Sequence, residues 1–448
     1  MADDPGGRDV NQDFDCDVLV IGGGPAGSTV ATLLARRGHR VHLLEKARHP
    51  RFHIGESLLP ANLPLFEDLG IGAEIRAIGM IKRGAEFVSP WHGTAQTFEF
   101  ADAWDKSMPY AYQVRRSEFD EILIRNAARH GAEVTEGCRV REVSFPPGGG
   151  ALVEAGHDDG THSTLRARFL VDASGRDTFM ATRLKAKQRN PKHNSSAMYA
   201  HFAQARRHSG EAEGNITIFW FDHGWFWFIP LADGSTSVGA VVWPYYMKQR
   251  DRPLEAFFHD TIACCPALAE RLSGAERVSA VEATGNFSYT TDHTHGGDAA
   301  DYLLLGDAYA FIDPVFSSGV MLAMQGAYAG AEAIDTCLRQ PGRRGAALAA
   351  FDRRLRHGPR EFSWFIYRVT TPTLRDMFMG PKNLLRMQEA LLSVLAGDIF
   401  GRTPIWRSVF AFKVLYYAFA AMRPLRSWRA WQRRRRNIRP WPQPVDGA

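Results

Sequence analysis

Asp17–Lys46 reads DVLVIGGGPAGSTVATLLARRGHRVHLLEK. Cys16 to Ile21 is a short apolar run ahead of three glycines, the pattern of a buried parallel strand. Pro25 to Arg37 follows as a helix that Gly38 ends, and RVHLLE supplies a second strand. The unit is β-α-β. Gly22, Gly24 and Gly27 form GxGxxG at the strand-to-helix junction, with Ala26 inside the motif. Gly22 allows a tight turn, Gly24 lets the backbone approach a pyrophosphate, and Gly27 lets helix and strand pack closely. The helix start offers free N–H groups to phosphates. Glu45 closes the second strand, where an acid accepts from a ribose hydroxyl, and Lys46 follows it as a further candidate contact. Strand, glycines, helix, strand and terminal acid together predict a dinucleotide site.

The rest of the chain supports one large soluble assembly around this unit. Its 448 residues, 45% of them apolar, suffice for two or three lobes. The N-terminal MADDPGGRDVNQDFD lacks a basic n-region and an apolar h-region, so no signal peptide is expected. Five cysteines without a CxxC pair suit a reducing, cytoplasmic compartment. No metal-ligand spacing stands out, and His293 and His295 read as loop residues. The net charge of +5 is uneven. Arg423 to Arg439 holds eight arginines and no acid, so the remaining chain carries a net −3.

Ser117–Arg129 is amphipathic, with Ser117 a candidate N-cap. Strands are expected at Arg139–Ser144, Leu152–Ala155 and Leu165–Ala173, with PPGGG (Pro146–Gly150) as a turn. Ala197–Val242 reads mostly as strands, Tyr302–Ala308 as a buried strand, and Val320–Leu338 as a long helix. Beyond Arg343 the pattern is helical. With no repeat or linker, the lobes are expected to interleave. The fold class is α/β: a Rossmann-like FAD-binding domain (1–90, 113–190 and 290–345) interleaved with a mixed β-sheet substrate lobe (91–112 and 191–289). A helical C-terminal cap with a basic tail (346–448) completes it.

The dinucleotide is indicated by LLLGDAYAFIDPVFSSGVMLAMQGA (Leu303–Ala327). Together with the N-terminal unit and QVRRSEFDEIL (Gln113–Leu123), it resembles the FAD-dependent monooxygenases of the p-hydroxybenzoate hydroxylase type. That resemblance implies Asp307 at the FAD ribityl chain and Arg116 near the cofactor. It implies Gly319 and Val320 beside the flavin ring, where a helix dipole stabilises the anionic reduced flavin.

Three stretches are similar to the flavin-dependent halogenases that act on phenols or pyrroles. GESLLP (Gly55–Pro60) and Lys82 in IKRGAEF match a lysine between flavin and substrate that meets hypohalous acid. It acts either as a chloramine or as a hydrogen-bonding partner of the oxidant. By composition alone, Lys82 beside Arg83 reads as a surface lysine. VFSSGV (Val315–Val320) implies a halide held by backbone N–H groups near Ser318 and Gly319. Phe316 stands where tryptophan halogenases carry a glutamate, which argues against tryptophan as substrate. WFWFIP matches WxWxIP, whose tryptophans, here Trp225 and Trp227, separate flavin from substrate. Their alternation with Phe226 and Phe228 predicts a strand buried on both faces.

LVDASGRDTFMATRL (Leu170–Leu184) breaks the DG motif of NADPH-using relatives, and no second GxGxxG exists. Reduced FAD from a separate flavin reductase is therefore expected, with chloride or bromide and a small electron-rich aromatic, free or on an acyl or peptidyl carrier protein. The resemblance runs from about Asp17 to Leu338. Two other readings stay open: a hydroxylase or reductase on the same frame, and a non-catalytic FAD-holding subunit at a membrane surface. VFAFKVLYYAFAAM (Val409–Met422) is too short to span a bilayer. With the basic run behind it, it is either a core-packed helix with a solvated tail or a surface for membrane or an acidic carrier. Nothing else supports nucleic-acid binding.

Overall fold

The computed structural model describes residues 14–285, 288–401 and 403–439. The segment read as lacking a leader lies outside the described residues up to position 13, as does the C-terminal region beyond 439.

The first sheet grows from the opening stretch. Cys16–Ile21 pairs in parallel with Val41–Glu45 on one side and with the second half of His162–Asp172 on the other. Glu133–Glu136 extends the sheet beyond Val41–Glu45, and Tyr302–Leu304 pairs with His162–Asp172. The chain thus winds outward both ways from Cys16–Ile21. This is the switch point at which α/β sheets open a crevice beyond their strand ends. His162–Asp172 has a double role: its first half pairs antiparallel with Ala151–His157, which pairs with Cys138–Ser144. The helices Pro25–Arg36, Arg116–Arg129 and Gly319–Arg339 bury their apolar residues in the core that includes this sheet. Arg116–Arg129 begins one residue before Ser117. Arg115, extended at φ −65° and ψ 121°, takes the cap position, so Ser117 lies in the first turn and is not the cap.

The second sheet runs in the order Glu276–Arg277, Ser196–Ala203, Thr236–Val242, Gly224–Pro230, Ile216–Phe221, Gly84–Ser89, Thr94–Glu99. Gly84–Ser89 pairs in parallel with Ile216–Phe221. It belongs to this sheet although it precedes residue 91, where the substrate lobe was expected to begin. Gly224–Pro230 is central and buried throughout. Its phenylalanines pack with Phe257, Phe258 and Leu268 from the helices Leu254–Ala263 and Pro266–Arg271. Its tryptophans share a core with the C-terminal helices Arg344–Ile366, Pro372–Met379, Met387–Ala396 and Trp406–Met422. The helical reading beyond Arg343 therefore corresponds to a cover over the tryptophan face. A two-stranded ribbon, Met80–Lys82 with Ala111–Gln113, is placed next to the cleft.

Candidate active site

At the end of Cys16–Ile21 the glycines have three different jobs. Gly22 has φ +100°, and a β-carbon there would lie 2.5 Å from the Ala173 carbonyl oxygen. A β-carbon on Gly27 would stand 1.8 Å from the Gly22 carbonyl oxygen, so the helix could not pack at this depth. At Gly24 the nearest atom is an Arg51 nitrogen, 3.8 Å away. That space lies in front of a helix start with no side-chain cap, and its first-turn N–H groups can meet a phosphate. Glu45 is buried, accepts from Gly23 N (2.6 Å) and Ala47 N (2.9 Å), and lines the cleft. Lys46 pairs with Asp177 at the rim.

The cleft has a volume of about 510 Å³. Its walls include Gly22, Gly24, Ala26, Glu45, Lys46, Arg116, Asp307, Gly319, Val320, Trp225 and Trp227. Arg116 is held on both sides. Its Nε and one terminal nitrogen grip Asp120 at 2.9 and 3.0 Å, and the other donates to the Ile54 carbonyl at 3.0 Å. Burial opposes the Asp120 charge, but Arg116 and Arg51 outweigh it and hold that carboxyl below its ordinary value. His53, on the same wall, is pushed down to about 4 by burial and by Arg116, so it stays neutral at pH 7. Asp307 is pushed up to about 6 by burial, with Arg176 and Arg116 pulling the other way. Its carboxylate makes no hydrogen bond among the described residues and lines the cleft, which suits an acceptor for polyol hydroxyls. Asp172, by contrast, is fully engaged by Ser174 N (2.9 Å) and Met180 N (2.7 Å) and leaves the lining to Ala173 and Ser174. These donors, acceptors and open backbone fit an extended dinucleotide such as FAD.

The other end is built from side chains. Trp225 and Trp227 stand 6.1 Å apart between ring centroids, and Trp227 lies 6.0 Å from Tyr199. Trp227 Nε1 donates to Ser237 Oγ (3.1 Å). Its ring lies over Gly239 on the paired strand, where a β-carbon would come within 2.2 Å of it. Lys82 is 1% exposed, which sets aside the surface-lysine reading. Its Nζ donates to Ser57 Oγ (2.9 Å) and the Leu58 carbonyl (3.0 Å), 5.2 Å from the Phe100 ring centre. Burial lowers this amine from 10.5 to about 7, so a large neutral fraction exists at neutral pH. Lys82 stands behind Ser57 and not on the cleft wall itself. Ser318 likewise faces a smaller cavity beside Phe362 and Ile366, while Ser317 and Gly319 line the cleft.

The turn before Gly319 is braced from below. Ser317 sits in the left-handed region at φ 55°. Asp313 caps Val315 N through Oδ1 (3.0 Å) and accepts from His193 (2.7 Å) and Ser195 (3.2 Å) through Oδ2. Phe316 is buried against Phe362 and Phe365. Sequence reasoning missed this brace, and it missed Glu56, which is 1% exposed and lines the cleft. Glu56 Oε1 accepts from His201 Nε2 (2.8 Å), and its Oε2 has no partner among the described residues. Glu56 lies inside the quoted GESLLP. The signal available was the acid next to Ser57 in that match, and Asp313 likewise lies inside the quoted Leu303–Ala327 stretch, whereas His201 carries no local signature.

Residues 15–359 match the FAD binding domain family. Tryptophan 2-halogenase of Chondromyces crocatus is 36% identical over 329 residues, which is 72% of this chain and 61% of that protein, so the match spans less than two thirds of that relative. The 1H-pyrrole-2-carbonyl-(peptidyl-carrier protein) chlorinase of Pseudomonas fluorescens is 28% identical over 87% of this chain and 90% of its own. The solved structure of the myxobacterial chondrochloren halogenase CndH superposes with a TM-score of 0.75 at 38% identity, covering 78% of this chain and 81% of that one. The fold and the cleft thus define an FAD-binding flavoprotein. Within that class, the chain belongs to the flavin-dependent halogenase family.

Proposed function

We propose that this enzyme halogenates an electron-rich aromatic, a phenol or a pyrrole, free or presented on a carrier protein. FAD, when bound, supplies the oxygen-activating redox chemistry. The observation that carries the reading is one cleft with a nucleotide-binding end and an indole wall, with a buried amine one residue behind it. In this reading Gly22, Gly24, Ala26, Glu45, Lys46, Arg116, Asp307, Gly319 and Val320 hold FAD, while Gly27 sets the packing. Ser318 and Gly319 hold chloride or bromide through backbone N–H groups. Lys82 acts on the oxidant through its neutral fraction, and Trp225 and Trp227 separate the cofactor from the substrate. The relatives named above differ in their substrates, tryptophan and a carrier-bound pyrrole. Phe316, packed in the core where a glutamate would assist an indole, favours the more reactive phenol or pyrrole ring.

A separate flavin reductase supplies reduced FAD in this reading, supported by Asp172, whose carboxylate is spent on the backbone of its own turn. A cytoplasmic setting accords with five free cysteines. The test couples the chain to a flavin reductase with NADH and bromide or chloride over a phenol and pyrrole panel. Products bearing a halogen isotope pattern are expected, as is no turnover with NADH when the reductase is left out. A product heavier by one oxygen and free of halogen would assign hydroxylation instead. NADH oxidation by the chain alone would remove the reductase from the scheme.

A further inference from the structure

Trp406–Met422 and Pro424–Asn437 form consecutive helices that end the described chain. The second is fixed in orientation. Arg423 and Arg426 pair with Asp376, and Ser427 Oγ donates to the Ala420 carbonyl (2.8 Å). Arg434 reaches inward, donating to the Lys192 carbonyl (2.8 Å) and to His193 Nδ1 (3.3 Å), beside Tyr367. Outside those contacts the helix is open to solvent. Leu425, Trp428 and Trp431, spaced three apart, are 70%, 55% and 52% exposed. On the preceding helix Val409, Phe412 and Tyr416 are buried, whereas Phe410 and Val414 are at least half exposed. Arg429, Arg433, Arg435 and Arg436 make no ion pair among the described residues, and Ile399 to Arg439 contains no acid.

We infer that this outer face is a docking surface for an anionic phospholipid membrane. Large apolar side chains left this exposed and grouped on two consecutive helices mark an interaction site. Tryptophans flanked by unpaired arginines suit the headgroup boundary, where indoles settle and basic side chains meet lipid phosphate. No described helix is long and apolar enough to cross a bilayer, so the helices lie on the surface. A second copy of the chain fits less well. A two-fold contact through this face would bring the unpaired arginines of both copies together without an acid to neutralise them. An acidic carrier protein would satisfy the arginines, but it gives no reason for the exposed apolar side chains of Phe410 and Val414 on the preceding helix. The inference does not depend on the chemistry in the cleft.

The test is flotation of the full chain with phosphatidylcholine vesicles, with and without phosphatidylglycerol. Binding is expected with the anionic vesicles, to be weaker by about tenfold on pure phosphatidylcholine, and to fall as salt rises. The double variant Trp428→Glu/Trp431→Glu should lose flotation while keeping wild-type FAD binding and melting temperature. Arg429→Gln/Arg433→Gln/Arg436→Gln should reduce the preference for anionic lipid. No flotation on anionic vesicles would overturn the inference, as would flotation that both variants leave unchanged. A dimer in light scattering that the tryptophan variant dissociates would assign the face to a second copy. Co-elution with an acidic carrier protein, without vesicle binding, would assign it to that partner.

Discussion

The two ends of the cleft are built on opposite principles. At the nucleotide end the ligand-facing surface is mostly backbone, and what matters is the absence of side chains at Gly22, Gly24 and Gly27. At the tryptophan end the surface is side chain, and its positions depend on partners far away in sequence: Gly239 under Trp227, Ser57 on Lys82, His201 on Glu56. A backbone site is specified by one contiguous stretch. A side-chain site is specified by register, so it is more exposed to change anywhere in the sheet.

The largest test of that contrast separates two glycines three residues apart. Gly27→Ala places a methyl 1.8 Å from a carbonyl oxygen and should cost upwards of about 3 kcal/mol, read as a collapse of the apo melting temperature. Gly24→Ala meets nothing nearer than 3.8 Å, so the apo protein should melt normally while FAD affinity falls. If both variants lose stability equally, Gly24 is structural and the pyrophosphate reading of that space fails.

Lys82 tests the other end. Lys82→Met should lower halogenation by at least about 100-fold, with FAD binding unchanged. It should also change the pH dependence of stability. The folded amine titrates near 7 and the unfolded one near 10.5. Between those values the unfolded chain binds more protons, so wild-type stability rises with pH and the burial cost is fully present below about 7. Relative to the variant, the wild type should gain about 2–4 kcal/mol on going from neutral to strongly alkaline solution, measured by urea unfolding. A flat difference across that range would mean that the amine is not desolvated.

Gly239→Ala is the register test, and its effect should be smaller. The new methyl would press on the Trp227 ring at 2.2 Å and should cost about 1–3 kcal/mol, with a shifted tryptophan fluorescence spectrum. Unchanged fluorescence would show that the indole is not seated as described.

The same contrast explains what could be read from the sequence. Cys16–Glu45 was legible because motif, strand and helix are neighbours in the chain. The doubly buried tryptophan strand was legible because alternation with two phenylalanines admits no exposed face. Lys82 was legible only through its resemblance context, since burial of a lysine leaves no trace in composition. The pairing of Gly84–Ser89 with Ile216–Phe221 was not legible, because the two strands lie over a hundred residues apart. The His193–Asp313–Ser195 brace joins residues about 120 apart, and no spacing rule reaches that far.

Asp307 lies where the two principles meet, a side chain at the nucleotide end, and it gives the finest test. Burial raises its carboxyl from 3.8 to about 6. Within that window the folded chain keeps a proton that the unfolded chain has released. Stability therefore falls as pH rises, and the cost is complete above about 6. Asp307→Asn removes the charge and should stabilise the apo protein by about 1–3 kcal/mol near neutral pH, with the gain vanishing near pH 4. The same change should weaken FAD binding by about tenfold, because a charged acceptor for a hydroxyl is lost. Opposite signs in the two measurements would identify Asp307 as a group held at a cost to the fold for the sake of the cofactor. If the variant neither stabilises the apo chain nor loosens FAD, the carboxylate is solvated and serves neither purpose. The nucleotide end would then rest on backbone alone.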